Sequence, residues 1–385
     1  MERKVIQVEE RPPLLLNIPL SIQHLFAMFG ATVLVPFLFN VNPTTCLFMN
    51  GIGTLLYLFL TKGKIPSYLG SSFAFISPVM VILSTSSYSD AQSGFIVFGL
   101  IFILFSLIIK YTGTGWIDII FPPACMGAII AVIGLELAPT AAGMAGLTGD
   151  VIDFRNIAVS MFTLAVTIIG SVAFKGFMAI IPILFGVICG YIFSFFMGLV
   201  DLAPVAAAPW FQMPHFYQPT FNLNAILIIA PAALVVLAEH IGHLVVTGNV
   251  VERNLIKDPG LARSLFADGC SNVLSGFFGA TPNTTYGENI GVMAITKVYS
   301  VWVIGGAAVM AICLSFVGKL SELIRSIPVP VMGGVCILLF GVIAASGIRV
   351  LVESKVDYSK SANLVMSSVI TVSYTHLRAH ETGRN

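Results

Sequence analysis

Long apolar runs recur along the whole chain, separated by short polar segments. A run of about 20 apolar residues can cross a bilayer core about 30 Å thick as a helix. The pattern predicts twelve membrane spans and the start of a further one, at residues 17–39, 44–61, 71–85, 93–111, 118–137, 156–174, 177–198, 223–247, 264–280, 287–297, 300–318, 329–346 and from about 361. So many spans indicate an all-α polytopic membrane protein rather than a soluble domain with an anchor.

Two of these spans, 71–85 and 287–297, are short, and each follows a turn-like, extended segment. The first segment reads Pro66-Ser-Tyr-Leu-Gly-Ser-Ser-Phe73 and the second reads Thr281-Pro-Asn-Thr-Thr-Tyr-Gly287. Short spans interrupted by Gly or Pro at matching places in two halves of a chain are typical of a transporter's binding site. The breaks in spans 3 and 10 therefore predict where the site lies.

Three weak matches in the same order indicate an internal repeat. Gln23 in the first span matches Glu239 in the eighth, 216 residues later, and the two broken segments lie at the same offset. A third match joins residues 122–127 to residues 328–333. Because the first copy holds an odd number of spans, seven, the second copy must lie inverted in the membrane. The repeat predicts fourteen spans in the intact protein.

Basic residues show a strong bias between the two sides of the predicted spans. With the N-terminus in the cytoplasm, 14 Lys and Arg residues fall inside and only three, Arg155, Lys319 and Arg325, fall outside. Cytoplasmic loops are enriched in such residues. We therefore expect a cytoplasmic N-terminus, with residues 1–16 as a cytoplasmic segment, and no cleavable signal peptide is evident in them.

The end of the chain does not fit the repeat, since the sequence stops within the thirteenth span. From about residue 372 it is polar where an apolar helix would continue, and it resembles a translated sequencing adapter. We interpret residues 372–385 as a non-native tail on a truncated chain. His376 and His380 are then not metal ligands, despite their i,i+4 spacing.

Composition supports the membrane assignment and excludes several classes of protein. Of 385 residues, 57% are hydrophobic and only 10% are charged, whereas soluble domains carry about 25% charged residues. The net charge of +1 and the lack of a basic run give no reason to expect nucleic-acid binding. The six cysteines are scattered singly, without metal-ligand spacing, and we expect neither a metal nor another cofactor.

Ionisable residues inside membrane spans are costly and are functional candidates by default. The spans place Glu239 and Glu288 well inside the hydrocarbon region, whereas Asp268 falls near the start of the ninth span. A structural ion pair is the alternative for Glu239, but no Lys or Arg lies at comparable depth. We therefore expect a site built around Glu239 and Glu288.

Histidines accompany these carboxylates. His243 follows Glu239 by one helical turn, where a carboxylate and an imidazole can share a proton; a purely structural histidine is the alternative. His240 points about 100° away from Glu239 on the same helix. His24, in the matching first span, could be a packing residue or could form a hydrogen bond between helices.

Glu288 and Phe73 lie at the starts of the two half-helices, where unpaired backbone N–H groups carry positive partial charge. The predicted cavity therefore offers N–H donors near Phe73 and Gly287, acceptors on Glu239 and Glu288, and the aromatic faces of Phe73 and Tyr286. A small planar heterocycle with both N–H donors and carbonyl acceptors complements this set. Uracil has two of each.

Several stretches together resemble the nucleobase–ascorbate transporter family, also called nucleobase:cation symporter-2. The resemblance covers about residues 9–371, and the family signature, Gln or Glu followed by Asn-x-Gly-x4-Thr, is met by Glu288, Asn289, Gly291 and Thr296. Glutamate at the first signature position is similar to the uracil branch. The other matching stretches are Gln23-His24, Gly70-Ser-Ser-Phe-Ala-Phe-Ile-Ser-Pro78 and Ala238-Glu-His-Ile-Gly-His243.

The resemblance implies a homodimeric, proton-coupled uracil importer of the bacterial cytoplasmic membrane. Its core domain would comprise residues 17–111 and 223–318, and its gate domain residues 118–198 and a truncated 329–371. By motif position, Glu239 and Glu288 would bind the uracil ring, backbone N–H groups near Phe73 and Gly287 would bind its carbonyls, and His243 would take part in proton coupling. His24, Asn289 and Thr296 would support the site.

Other functions remain open at this level. A purine or xanthine permease of the same family would reveal itself by competition with xanthine. A channel or an anion exchanger on a related seven-plus-seven fold would give currents that do not saturate, although the paired carboxylates argue against an anion path. An integral membrane enzyme is the weakest alternative, because the sequence shows no nucleophile–base pair, metal constellation or phosphate loop.

Overall fold

The computed structural model describes residues 5–116, 122–148 and 152–382, which are mostly helical. The first half contains α1 (Leu14–Leu38), α2 (Pro43–Leu60), strand β1 (Leu69–Ser71), α3 (Ile76–Thr85), α4 (Tyr88–Thr112), α5 (Pro123–Glu136), α6 (Ala138–Met144), α7 (Phe154–Ala173) and α8 (Pro182–Phe196). The second half contains α9 (Ala203–Ala207), α10 (Leu223–Ile229), α11 (Ala232–Val250), α12 (Leu261–Phe278), β2 (Asn283–Thr285), α13 (Gly287–Thr296), α14 (Val301–Ser315), α15 (Gly318–Arg325), α16 (Val329–Glu353) and α17 (Ser361–Thr382).

Many of these helices are suited to a membrane. Within the described residues, seven helical segments are long and apolar enough to cross one, and α8 and α14 are shorter apolar helices. Large hydrophobic side chains on their outer faces are exposed, as expected where lipid replaces water. The start of the predicted fifth span, residues 118–121, lies outside the described part of the chain.

The two extended segments pair with each other across the middle of the molecule. Strands β1 and β2 are antiparallel, with Gly70 opposite Thr284, and all six strand residues are buried. Two further backbone bonds continue the ladder, from the Ser72 N–H to the Pro282 carbonyl and from the Tyr286 N–H to the Tyr68 carbonyl, each 2.9 Å. The pairing satisfies backbone groups that would otherwise be unbonded inside the membrane.

Helix contacts repeat between the two halves of the chain. Helix α12 packs along α4 and α2, and α14 packs along α2 and α1. The α12–α4 and α2–α14 contacts are equivalent under the sequence repeat, since α2 matches α12 and α4 matches α14. Gly99 and Gly269 bring α4 and α12 together so closely that a Cβ on either would lie 2.7 Å from the other's carbonyl oxygen.

A second group of helices packs mainly among its own members and also contacts the first group, through α8 against α1 and α5 against α11. Helix α16 packs along α5, α7 and α8, and α17 packs against α5. The strand pair and the half-helices α3 and α13 belong to the first group. Helix α17 continues to Thr382, through most of the residues that we interpret as a non-native tail.

The N-terminal segment is attached to the helices rather than free. The Ile6 N–H donates to the Lys297 carbonyl (3.1 Å), and the Val301 N–H donates to the Val8 carbonyl (2.9 Å). Val8 is fully buried, and Glu9 forms an ion pair with Arg253. The segment therefore joins the α13–α14 connection to the loop after α11.

Candidate substrate site

The two half-helices begin at opposite ends of the strand pair. A 3₁₀ turn, Phe73–Phe75, leads into α3, and Gly287 opens α13 directly after β2. Phe73 and Gly287 are both partly exposed, although the residues before them, Ser72 and Tyr286, are only 1% and 4% exposed. We interpret the accessible space beside these residues as the candidate cavity, onto which the N–H groups of both helix starts open.

Helix α11 brings Glu239 and His243 to the same cavity. Both side chains are partly exposed and lie one turn apart. His243 Nδ1 is 3.2 Å from Thr285 Oγ1 on β2, and a Cβ on Gly287 would lie 3.3 Å from His243 Nε2. The imidazole therefore rests against the start of α13, where there is little room for a side chain at position 287.

Glu288 lies in the first turn of α13 and is also partly exposed. It lies within electrostatic range of Glu239, so that two ionised carboxylates there would repel each other. Helix α11 also contacts the Phe73–Phe75 turn. The structure thus brings together Phe73, Glu239, His243, Gly287 and Glu288, around N–H donors and carboxylate acceptors.

The ring of Tyr286 does not line this cavity. Its ring packs against Gly70 so tightly that a Cβ there would be 2.3 Å from the ring, and its hydroxyl donates to the Ser71 carbonyl (3.0 Å). It belongs to an apolar cluster with Met28 and Leu47. In this conformation Tyr286 packs in the interior and fixes the strand pair, rather than presenting an aromatic face to the cavity.

Two of the three supporting residues join α13 to α1. Asn289 Nδ2 donates to His24 Nδ1 and to the His24 carbonyl, both at 3.1 Å, which joins α13 to α1. His24 and Asn289 are almost fully buried. Thr296, at the other end of α13, donates to the Val292 carbonyl within the same helix (2.7 Å).

The hydropathy pattern puts Asp268 near the start of its span, and this placement is wrong. Asp268 lies two turns into α12 and is fully buried, with its Oδ2 2.9 Å from His240 Nδ1. Glu239 and Glu288 are therefore not the only deep carboxylates. The available signal is a polar stripe at helical spacing along an otherwise apolar span: Ser264, Asp268, Ser271, Asn272 and Ser275.

The buried pair belongs to a longer hydrogen-bonded chain. Ser264 Oγ lies 2.7 Å from His240 Nε2 and 2.6 Å from the hydroxyl of Tyr57 on α2. On the other side, Asn272 Nδ2 donates to Asp268 Oδ1 (3.0 Å). Asn272 Oδ1 in turn accepts from the Asn283 N–H (2.7 Å), so the chain connects α2, α11 and α12 to strand β2.

Comparison with known proteins identifies the family. Residues 16–381 match the model of a family described as the permease family. The chain is 65% identical over 375 residues to the uracil permease of Escherichia coli strain K12, covering 97% of this chain and 87% of that protein. It is 62% identical over 378 residues to the uracil permease of Paenibacillus larvae, covering 97% and 90%.

A solved structure shares the fold. The transmembrane domain of the cyanobacterial bicarbonate transporter BicA superposes with a TM-score of 0.72 at 15% identity, over 97% of this chain and 98% of that one. At this identity the likeness concerns the fold alone, which is that of transporters built as two inverted repeats of seven segments. The chain therefore belongs to the permease family, in its nucleobase–ascorbate transporter form, and it is a multi-pass membrane transporter and not an enzyme.

Proposed function

We propose that this transporter imports uracil together with protons. The observation that supports uracil best is that two mutually interacting carboxyl groups, Glu239 and Glu288, lie beside two helix N-termini. The carboxylates accept hydrogen bonds from the two ring N–H groups, while backbone N–H groups near Phe73 and Gly287 donate to the carbonyl oxygens. The uracil permeases at 62% and 65% identity support the same substrate.

Charge complementarity favours a neutral, planar ligand. An anion would suit the helix N-termini but would be repelled by the carboxylates, and a cation would leave the N–H donors unpaired. The ring of Phe73, partly exposed at the start of its turn, provides a face for stacking.

Proton coupling follows from placing two carboxylates in one cavity. One proton on Glu239 relieves the repulsion between Glu239 and Glu288 and leaves Glu288 as the charged acceptor. His243, one turn away, can exchange that proton. Uracil and the proton then bind better together than separately, which is what coupled transport needs.

We further propose that transport proceeds by alternating access, in which a core domain moves against a gate domain. Residues 17–111 and 223–318 form the core that carries the site, and residues 118–198 and 329–371 form the gate. The orientation has the N-terminus in the cytoplasm of a bacterial cell, in the cytoplasmic membrane, and the functional unit is a homodimer.

Uptake of labelled uracil into vesicles containing this chain tests the proposal. We expect accumulation only with an imposed pH gradient, saturation with uracil, and no competition by unlabelled xanthine. Uptake that is the same with and without the pH gradient would overturn the proposal of proton coupling. Competition by xanthine would favour the purine-permease alternative.

A further inference from the structure

A cavity of about 520 Å³ lies at the surface of the protein, where α2 ends and α12 begins. It combines two basic side chains, Lys62 and Arg263, with an apolar wall made by Leu58, Phe59 and Leu60. Lys62 follows α2 in a left-handed turn (φ 60°) and is exposed, and Arg263 is exposed in the first turn of α12. The cavity is therefore basic and apolar at once.

The two basic groups carry uncompensated charge. Within the described residues, neither Lys62 nor Arg263 has an acidic partner, whereas their neighbours Lys64 and Arg253 are paired with Asp258 and Glu9. Arg263 Nη1 donates to the carbonyl of Leu60 (3.3 Å). That bond holds the guanidinium at the end of α2 and leaves its other N–H groups available for an anion.

The apolar wall is exposed in a way that suits lipid. Phe59 is 79% exposed, and Phe266, one turn after Arg263, is 37% exposed. A single basic side chain at the end of a membrane span commonly extends to the membrane surface. Here two such side chains share one cavity, and one is fixed by a backbone carbonyl. A soluble anion would need the cations but not the exposed aromatic wall.

We propose that this cavity binds an anionic phospholipid. The phosphate of the headgroup lies between Lys62 and Arg263, with the planar guanidinium donating two parallel hydrogen bonds, and an acyl chain runs along Phe59. Basic pockets between helices on the cytoplasmic side are known to suit such headgroups. This inference uses the proposed orientation, which puts the ends of α2 and α12 at the cytoplasmic leaflet.

The lipid would anchor the helices that carry the substrate site. Helix α2 contacts β1, and α12 contacts β2. A headgroup bound between them links the ends of these two helices at the membrane surface.

Native mass spectrometry of the purified chain with added phosphatidylglycerol or phosphatidylcholine tests this site. Because each basic residue near an anionic headgroup contributes about 5-fold in affinity, we expect the Lys62→Gln/Arg263→Gln variant to lose about 25-fold of its preference for phosphatidylglycerol. The matched control, Lys175→Gln/Lys360→Gln, removes two exposed charges elsewhere and should leave that preference unchanged. Arg263→Lys should recover only part of it.

Three results would overturn the proposal: no preference for phosphatidylglycerol in the parent chain, an unchanged preference in the double variant, or an equal loss in the control. No preference for phosphatidylglycerol together with binding of millimolar inorganic phosphate would favour a site for free anions. Uracil-induced thermal shifts in the same samples show whether each variant is folded. A retained uracil response without lipid preference would reject the lipid site and leave the proposed transport function standing.

Discussion

His243 Nδ1 lies 3.2 Å from Thr285 Oγ1, so a single imidazole on α11 touches the strand that leads into the broken helix. Its other nitrogen faces Gly287. The group proposed to exchange the proton and the backbone proposed to bind uracil are therefore in direct contact. A small change at position 287 should therefore affect both the position of His243 and the binding of uracil.

Gly287→Ala should weaken uracil binding without unfolding the protein. The added Cβ would meet His243 Nε2 at 3.3 Å, so the ring has to move by a few tenths of an ångström, and alanine is favourable in a helix. We expect about a 10-fold rise in Kd, measured by isothermal titration calorimetry, because small misplacements at a site are costly. Gly291→Ala is the control, since its Cβ would meet nothing within 4 Å. Equal effects of the two variants would show that the contact with His243 is unimportant.

Glu239→Gln and Glu288→Gln should separate binding from coupling. Each variant loses a carboxyl acceptor for a ring N–H, the charged one at Glu288 and the protonated one at Glu239. A bond to a charged acceptor contributes about 1.5–3 kcal/mol, so Glu288→Gln should bind uracil at least about 10-fold more weakly, and Glu239→Gln should weaken binding by less. Residual uptake by Glu288→Gln should still depend on the pH gradient, and that by Glu239→Gln should not. The measurement is labelled-uracil uptake at saturating concentration, with and without the gradient. Unchanged binding in both variants would refute the assigned site.

Asp268→Asn should destabilise the protein far more than a surface carboxylate variant does. Removing one partner of a buried pair leaves the other uncompensated, which costs about 3–5 kcal/mol. Thermal unfolding in detergent measures the effect. Glu353→Gln is the control, because Glu353 pairs with Arg349 on an exposed helix face and surface pairs contribute about 0–1 kcal/mol. If His240→Ala/Asp268→Asn is no more damaging than either single change, the pair acts as one unit.

Glu9→Gln should lower the melting temperature at neutral pH but not in acid. The guanidinium of Arg253 lowers the pKa of Glu9 below its ordinary value of 4.5. A depressed carboxyl pKa stabilises the folded state above the unfolded pKa, and this contribution is lost as the pH falls through the folded one. The variant and parent should therefore converge below about pH 4. Glu252→Gln, an exposed neighbour, should show no such dependence, and a difference that persists in acid would argue against the ion pair.

Much of the fold was predictable from the sequence because hydropathy and repeats are local or periodic signals. The apolar runs identify the long helices, and Gly and Pro identify the two breaks. The pairing of Gly70 with Thr284 was not predictable from either segment alone, since each strand is only three residues long. Its register depends on the packing of helices that are far apart in the sequence.

The residues of the candidate site could be predicted where an ionisable side chain stands in an apolar span, because such a placement costs free energy. Glu239 and Glu288 are examples. The burial of Asp268 was not predicted because it lies in the interior helix α12. The polar stripe of α12 lowers the hydropathy of the span and shifts its apparent start. Tyr286 was misjudged because the sequence cannot show that its ring packs against Gly70. The attached N-terminal segment had a weak signal, the alternation of buried Ile6 and Val8 with Gln7 and Glu9.

The strand pair also determines when the site can form during synthesis. Leu69 pairs with Thr285, so β1 has no partner until the ribosome has made more than two hundred further residues. Until then its backbone polar groups must be hydrated or shielded by the translocation machinery, since unbonded groups are not tolerated in lipid. We therefore expect the transport site to be among the last parts of the protein to assemble, and any nascent chain that ends before β2 to be held as an unfinished intermediate.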